Sequence, residues 1–367
     1  MPAVFLGADR YRGSVFPDHH PLAIPRIATV LDLCTALGWL DPAHHRECPL
    51  ATDRELAQFH DAGYIAALHR ADAGGIPSAA DRAQYGIGTL ENPAAPGLFA
   101  RAAGAVGGSI LAADLAIAGH VVFHPAGGMH HGHPSRARGF CYFNDVVFAL
   151  RRLEEHGLRR IACVDFDAHH GDGVQEAFRD DPRVHTVSIH EAGRWPYTGA
   201  AEDRGGGRSL NLPVPEGCND TEFRLLLDVV VCPALQRLDP QAVVVVCGTD
   251  ALSGDPLSRM VLSNLALWEA VDRVLAMAPV RIVLGGGGYN PWTLARAWTG
   301  LWGRLRGADF PDVLPPAAQA ILGLLQCDLI DHEAIDPAWR TTLADTRNPG
   351  PVRGAIHALI AGASAGP

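Results

Sequence analysis

The chain alternates short apolar runs with amphipathic helical segments over residues 120–290, and this alternation restricts its fold more than any other feature. Each apolar run is rich in β-branched residues and stops abruptly at polar residues or glycine, as buried strands do. The predicted strands are His120–His124, Arg160–Asp167, Val184–His190, Gln241–Gly248 and Val280–Gly285. The predicted helices between them are Asn144–His156, Gly171–Arg179, Thr221–Leu238 and Ser263–Met277. This order predicts an α/β fold, three-layer and doubly wound around a mostly parallel sheet.

The flanking segments indicate further helices but no second domain. Residues 1–119 contain Pro-rich turns, and the segment from Gly307 is interrupted by proline and predicts closing helices. Residues 361–367 are expected to fray. Within residues 1–119, helices are predicted at Pro25–Leu37, at Asp53–Arg70 and from about Pro96 to Ala118.

Composition excludes several classes of protein. The formal net charge is -10, and all 30 basic residues are arginine. Binding to a phosphate backbone needs clustered basic residues, so we expect no nucleic-acid partner. Neither an export signal nor a long apolar run stands out, so we expect a cytoplasmic protein with no membrane partner. The 8 cysteines are scattered without a C-x-x-C pair and predict reduced core residues.

Polar side chains follow the ends of all five predicted strands. Because the carboxyl ends of parallel strands meet at one edge of a sheet, and ligands of α/β proteins bind there, we expect a shared site. In strand order these residues are His130 and His131, then Asp165, Asp167 and His169, then Ser188 and His190, then Asp250, and finally Tyr289.

Asp167 and His169 stand two residues apart at a strand end, so both side chains project to the same side. With Asp250 they form a set of two carboxylates and one imidazole. Three protein ligands leave a position for water or substrate, which is the pattern of a catalytic zinc site. The mixed nitrogen and oxygen set favours Zn²⁺ but also admits Fe²⁺, Co²⁺ or Mn²⁺.

The adjacent pair His130 and His131 is suited to proton transfer beside such a metal. One imidazole accepts a proton from metal-bound water while the other stays charged and holds the substrate oxygen or the leaving group. Each imidazole then needs a carboxylate that fixes its tautomer, and Asp165 and Asp172 are the candidates.

Tyr289 follows the glycine run 285–288, which permits close backbone approach. Its phenol is a candidate donor to a developing oxyanion. A dinucleotide-binding G-x-G-x-x-G motif is excluded because Asn290 occupies the position of the last glycine.

Five motifs occur along the chain, in the order P-A-G-G-M-H-H, G-F-C-Y-F-N-D, D-F-D-A-H-H-G-D-G-V-Q, T-D-A-L-S-G-D-P-L and L-G-G-G-G-Y-N. In this order they resemble the motifs of the zinc-dependent histone deacetylase superfamily, including its bacterial acetoin-utilisation and acetylpolyamine branches. The similarity covers at least 123–298 and more loosely 10–119. It implies an arginase/deacetylase-like fold in which residues 1–367 form a single deacetylase-type catalytic domain with core motifs in 120–300. The implied activity is a lysine deacylase of the bacterial type, a metal-dependent amidohydrolase that removes acetyl or related groups with metal-activated water.

The resemblance implies the same roles that the residues alone suggest. It makes Asp167, His169 and Asp250 the zinc ligands and His131 the general base and acid, with His130 as its electrostatic partner. Asp165 and Asp172 are then the carboxylates behind the two histidines, and Tyr289 polarises the acyl carbonyl. A structural K⁺ is implied at Asp165, Asp167, His169, Ser188 and Ile189, largely through backbone oxygens.

The resemblance also implies a substrate channel. Phe140 and Trp195 match its two aromatic walls, although phenylalanine is more usual in place of Trp195. Glu91 falls at the rim, where the family usually has an aspartate that grips the substrate backbone. Leu257 occupies a position where polyamine-specific members tend to place a glutamate, and this favours an acylated lysine of a protein or peptide as substrate.

Three other functions are weighed against this one. An acetylpolyamine or other small-amide hydrolase is the nearest alternative. A non-catalytic acyl-lysine-binding module would lack a ligand, His131 or Tyr289, and all are present. A two-metal ureohydrolase would need a carboxylate where Leu252 stands. The physiological substrate, the native metal and the oligomeric state stay open.

Overall fold

The computed structural model describes residues 2–364. Within them a single sheet has the strand order β2-β1-β3-β8-β7-β4-β5-β6, and every neighbouring pair is parallel. The predicted α/β class is therefore confirmed, with a sheet that is wholly rather than mostly parallel. The strands are β1 Ala3–Gly7, β2 His45–Glu47, β3 Val121–His124, β4 Ile161–Asp165, β5 Val184–Glu191, β6 Ser209–Val214, β7 Ala242–Val246 and β8 Val280–Leu284.

Helices flank the sheet in two groups, as a doubly wound fold requires. One group contains α5 and α6, which pack against each other and on the strands β3, β8 and β7; the other contains α1, α10, α11 and α12. The helices are α1 Arg26–Ala36, α2 Asp53–Leu56, α3 Ala62–Asp72, α4 Ala79–Tyr85, α5 Leu98–Ile117, α6 Asp145–Glu155, α7 Asp172–Ala177, α8 Asp220–Leu226, α9 Cys232–Leu238, α10 Asn264–Leu275, α11 Pro291–Leu305, α12 Pro316–Gly323 and α13 Gly354–Ser364. A π-helical turn, Leu227–Val231, joins α8 to α9.

Three strands escaped the sequence analysis, each for a physical reason. β1 lies outside the alternating pattern of residues 120–290, and β2 has the polar sequence H-R-E because it forms an edge of the sheet. β6 forms the other edge and contains Pro213, which edge strands tolerate because they need not donate every backbone N–H. The central strand β7, A-V-V-V-V, is buried throughout and was predicted from that composition.

Two predicted helical segments differ from the structure. The segment predicted as one helix from Asp53 to Arg70 is divided into α2 and α3. The side chain of His60 between them is buried, and its ring nitrogens bond to backbone groups of a distant loop. The end expected to fray is helical as far as Ser364, while residues 365–367 lie outside the described part of the chain.

The helix α5 is apolar and long enough, at 20 residues, to cross a membrane by length and composition. More than half of its most apolar window is buried inside the fold, where it contacts α6, β3 and β8. A core helix of a folded domain passes the same test, so its composition is accounted for by packing.

The predicted state of the cysteines agrees with the structure. All eight are free thiols, of which seven are buried and Cys327 is partly exposed.

Candidate active site

The predicted metal ligands lie together at the carboxyl ends of β4 and β7, in the middle of the sheet. One potential ligand atom from each of Asp167, His169 and Asp250 lies within 4.8 Å of the others, and all three residues are buried. His169 Nδ1 is 3.2 Å from Asp167 Oδ1 and 2.9 Å from Asp250 Oδ2. The same imidazole nitrogen therefore faces both carboxylates.

Backbone groups hold the two carboxylates in place. Asp167 accepts hydrogen bonds from the N–H of His169 at 2.9 Å and of Gly287 at 2.6 Å, and Asp250 accepts one from the N–H of Ala168 at 2.9 Å. A Cβ atom on Gly287 would lie 2.1 Å from Asp250 Oδ2, so only glycine fits there. The glycine run after β8 is thus a wall of the ligand set.

The charge of this cluster fits a divalent cation. Burial and the negative charge of Asp167 raise the pKa of Asp250 to about 6. Burial would lower the pKa of His169, but hydrogen bonds and charges from both carboxylates raise it to about 10. Two buried carboxylates around one nitrogen demand positive charge between them, and an O, N, O donor set is one that zinc and other divalent metals accept.

The adjacent histidines each have their own carboxylate. His130 Nδ1 is 2.7 Å from Asp165 Oδ2, and His131 Nδ1 is 2.7 Å from Asp172 Oδ1. All four side chains are buried, and the two imidazole centroids are 3.9 Å apart. Because Nδ1 of each ring donates to a carboxylate, the Nε2 atom of a neutral ring remains an acceptor.

The two imidazoles differ in protonation. Burial would lower the pKa of His130, but the charges of Asp165 and Asp167 outweigh it and raise that pKa to about 9. Burial and the positive charge of His130 lower the pKa of His131 to about 3. The surroundings therefore favour the charged form of His130 and the neutral form of His131.

Asn144 and Asp145, at the start of α6, hold the loop that carries these histidines. Asn144 Nδ2 donates to the carbonyl oxygens of His130 at 3.2 Å and Gly132 at 2.9 Å. The Asp145 carboxylate accepts from the N–H of Met129 at 2.7 Å. Both residues belong to the motif G-F-C-Y-F-N-D, but no role was predicted for them.

Tyr289 is buried and lies beside the ligand set. Its backbone N–H donates to Asp255 Oδ2 at 2.7 Å, and the guanidinium of Arg26 donates to the carbonyl oxygen of Gly286 in the preceding loop. Its ring is 5.8 Å from that of Phe140, in an edge-to-face arrangement. Asp255 lies within the motif T-D-A-L-S-G-D-P-L and Arg26 lies outside all five motifs. Neither was predicted to act at the site, because support of a loop through backbone groups has no residue pattern of its own.

A cavity of about 590 Å³ leads from the surface to this cluster. The four predicted channel residues all line it, together with three predicted catalytic or ligand residues, and Arg194 and Tyr197 extend its mouth beyond what the sequence analysis named. The predicted residues that line it are Glu91, Phe140, Trp195, Leu257, His131, His169 and Tyr289.

The wall residue Phe140 sits in a strained turn. Arg138 and Cys141 exchange backbone hydrogen bonds, and the two residues between them, Gly139 and Phe140, have φ of 54° and 66°. A bulky side chain with positive φ is uncommon and persists where the surroundings impose it. Glu91 fixes this turn, since its Oε1 accepts the N–H of Gly139 at 2.8 Å. The Glu91 carboxylate thus binds the channel wall itself.

The residues predicted to bind K⁺ lie on, or within four residues of the end of, two adjacent strands, β4 and β5. Asp165 and Ser188 are register partners on β4 and β5, and Ile189 follows Ser188. Ser188 Oγ and His190 Nδ1 are 2.9 Å apart. The potassium assignment stays a prediction.

Comparison with known proteins identifies the family. Residues 20–305 match the model of the histone deacetylase domain. The acetoin utilization protein AcuC of Bacillus subtilis is 33% identical over 330 residues, which cover 86% of this chain and 84% of that protein. Histone deacetylase 8 of Xenopus tropicalis is 32% identical over 302 residues, covering 79% and 81%.

A crystal structure of a histone deacetylase homologue from Aquifex aeolicus superposes with a TM-score of 0.94 at 35% identity, with full coverage of both chains. A structure of a histone deacetylase homologue complexed with SAHA gives 0.93 at 34% identity. These relatives share the arginase/deacetylase-like fold expected from the motifs. With the family model matching most of its length, the chain belongs to the histone deacetylase family of hydrolases.

Proposed function

We propose that this protein hydrolyses the amide bond of acylated lysine side chains in proteins or peptides, releasing a carboxylate and the free lysine amine. One observation carries the proposal: a cavity of about 590 Å³ has aromatic walls and reaches a buried ligand set, a neutral imidazole and a tyrosine at its inner end. An aliphatic lysine chain fits between aromatic rings, and its amide then lies among the polar groups.

Asp167, His169 and Asp250 are the proposed ligands of Zn²⁺, and the same donors would accept Fe²⁺, Co²⁺ or Mn²⁺. A divalent ion bound there supplies Lewis acidity, which lowers the pKa of water and polarises the acyl carbonyl.

The remaining steps belong to the side chains. His131, neutral and fixed by Asp172, accepts the proton of the attacking water at Nε2. The Tyr289 hydroxyl donates a hydrogen bond to the oxygen that gains negative charge. The proton taken by His131 then passes to the departing lysine nitrogen, while His130 remains a cation that stabilises negative charge at the centre.

The mouth favours lysine over a polyamine. Leu257 offers no charge to the remote ammonium groups of a polyamine. The acid at the mouth, Glu91, already accepts a hydrogen bond from Gly139, although its second oxygen has no partner of this kind in the cavity wall. An acetylpolyamine hydrolase is therefore the alternative activity, with Glu91 as the feature that supports it.

Three subsidiary proposals accompany this activity. Residues 1–367 act as one catalytic domain, since β1 near the start of the chain pairs within the same sheet as the site-bearing strands. A structural K⁺ binds near Asp165 and Ser188, as the resemblance implies. The protein is cytoplasmic, which the similarity to bacterial AcuC and the free cysteines support.

The test is an assay of the metal-loaded protein on acetyl-lysine, longer acyl-lysine and lactyl-lysine peptides beside acetylputrescine and acetylspermidine. We expect kcat/KM on at least one acyl-lysine peptide to exceed that on both polyamines. Faster turnover of the polyamines would establish the alternative, and no turnover of any amide would refute both.

A further inference from the structure

Arg138 connects the channel wall to the catalytic histidine. Its Nη1 lies 2.9 Å from Asp172 Oδ2 in an ion pair, and its guanidinium carbon lies 5.2 Å from the centroid of the Trp195 ring. One guanidinium thus makes an ion pair and a cation–π contact at the same time, which its planar shape allows.

Asp172 and Trp195, the two partners of Arg138, both also contact His131. Asp172 Oδ1 is 2.7 Å from His131 Nδ1, and the Trp195 ring is 4.6 Å from the His131 ring at an interplanar angle of 83°. Four side chains therefore contact one another in a closed ring, in the order Arg138, Asp172, His131 and Trp195. The bare Cα of Gly139 permits it, because a Cβ there would lie 2.4 Å from the indole.

An exposed ion pair would hold these side chains only weakly, but Asp172 is buried. Its side chain is 7% accessible, and among residues 2–364 its Oδ2 has, apart from Arg138, only the contact with His133 Nε2 at 3.4 Å. Loss of Arg138 would leave that buried oxygen with one long contact, which is costly. It would also free the outer face of Trp195.

We propose that Arg138 is a positioning residue for the proposed deacylation, holding the Trp195 wall and the Asp172–His131 pair at a fixed spacing. A lysine chain that lies against the indole then places its amide at His131. The inference rests on the proposed function and adds to it a residue that touches neither substrate nor metal.

Two substitutions separate the two contacts. Arg138→Ser removes both, so we expect KM for an acetyl-lysine peptide to rise about 5-fold, from loss of the stacked wall, and kcat to fall about 10-fold, from loss of a carboxylate partner. Arg138→Lys keeps a cation for Asp172 but has no planar face. It is expected to restore kcat to within about 2-fold while KM stays raised.

The matched control is Arg136→Ser. Arg136 lies on the same loop, is exposed and donates to the carbonyl oxygen of Ala83, away from the cavity. Its kinetics should equal those of the wild type. Thermal unfolding of each variant identifies any general loss of structure.

Binding without turnover gives a second measurement. In a Tyr289→Phe background, calorimetry with the acetyl-lysine peptide should show weaker binding for both Arg138 variants. When Trp195→Leu is added, the difference in peptide binding between arginine and lysine at position 138 should disappear, because an aliphatic wall has no π face.

The possible outcomes distinguish failure of the proposed function from failure of the proposed role of Arg138. No wild-type turnover of any acyl-lysine peptide overturns the proposed function and this role of Arg138 together. Wild-type turnover with kcat and KM unchanged in Arg138→Ser overturns the role of Arg138 alone. Equal effects of Arg138→Ser and Arg138→Lys on both constants also overturn it, since a purely structural arginine would give that result.

Discussion

The inner end of the channel and its mouth are built on different principles. At the inner end, His131 is 5% exposed and Asp250 is 0% exposed, and every carboxylate of the cluster accepts hydrogen bonds from backbone or imidazole groups. At the mouth, Tyr197 is 76% exposed, and Glu91, Arg194 and Leu257 are partly exposed.

This difference determines how strongly each region responds to change. Charges in a buried, fully hydrogen-bonded cluster interact strongly because no water screens them. Charges at a wet mouth interact weakly and lose more of that interaction as salt is added. Substitutions at the inner end should therefore affect whether the reaction occurs, and substitutions at the mouth should affect which substrate is used.

The largest effect is expected from the ligand set. Asp250→Asn keeps the shape of the side chain and removes its charge, so the site should lose its metal and kcat/KM should fall by about 10³-fold or more. Metal content by mass spectrometry and steady-state kinetics measure both. Asp312→Asn, at an exposed position, is the control. Full activity of Asp250→Asn after treatment with a chelator would contradict the assignment.

The next effect is expected at Tyr289. Tyr289→Phe keeps the buried ring and removes only the hydroxyl, so kcat should fall by about 10²- to 10³-fold while KM stays within about 3-fold. Tyr85→Phe, where the ring packs on Tyr64 outside the cavity, serves as control. Unchanged turnover in Tyr289→Phe would remove the phenol from the mechanism.

The contrast between the two regions also explains what the sequence could predict. Ligands and catalytic groups must be particular residue types at strand ends, so Asp167, His169 and Tyr289 could be named from spacing alone. The structure then brings them together as expected. The roles of residues that act through geometry are harder to predict. Asp255 lies within a motif, but its hydrogen bond with the Tyr289 N–H, like the contacts of Arg138, emerges only when distances are known.

The fold shows the same division. Central strands such as β7 are buried on both faces, so their apolar sequence predicted them. The edge strands β2 and β6 meet solvent on one side, and their polar or proline-containing sequences resemble loops. The packing of β1 between β2 and β3 depends on contacts distant in sequence, which periodicity does not reveal.

The buried side chain of His60, beneath the mouth, predicts that the stability of the protein depends on pH. His60 lies under the loop that leads to the mouth: its Nδ1 donates to the carbonyl oxygen of His133, and its Nε2 accepts the N–H of Asn144. Burial lowers the pKa of His60 to about 3. A protonated Nε2 could also no longer accept that N–H. With its folded pKa below its unfolded value, this histidine supports full stability above about pH 6.5, and stability falls as pH decreases toward 3.

His60→Gln tests this support. A glutamine amide offers one donor and one acceptor without titrating, so this variant should lose about 2 kcal/mol less unfolding free energy than the wild type between about pH 7.5 and about pH 5. Urea unfolding at the two pH values measures the difference, and His332→Gln at an exposed position is the control. Parallel losses in wild type and His60→Gln would show that His60 does not titrate in this range.

The smallest effect is expected at the mouth itself. Leu257→Glu places a carboxylate where a polyamine would present its remote ammonium group, and a partly exposed pair of this kind is worth about 1 kcal/mol. The kcat/KM for acetylspermidine should therefore rise about 5-fold relative to that for an acetyl-lysine peptide, and added salt should reduce the gain. Leu257→Gln has the same length without the charge and should show no such gain. Equal gains from Glu and Gln would mean that the shape of the mouth, and not its charge, selects the substrate.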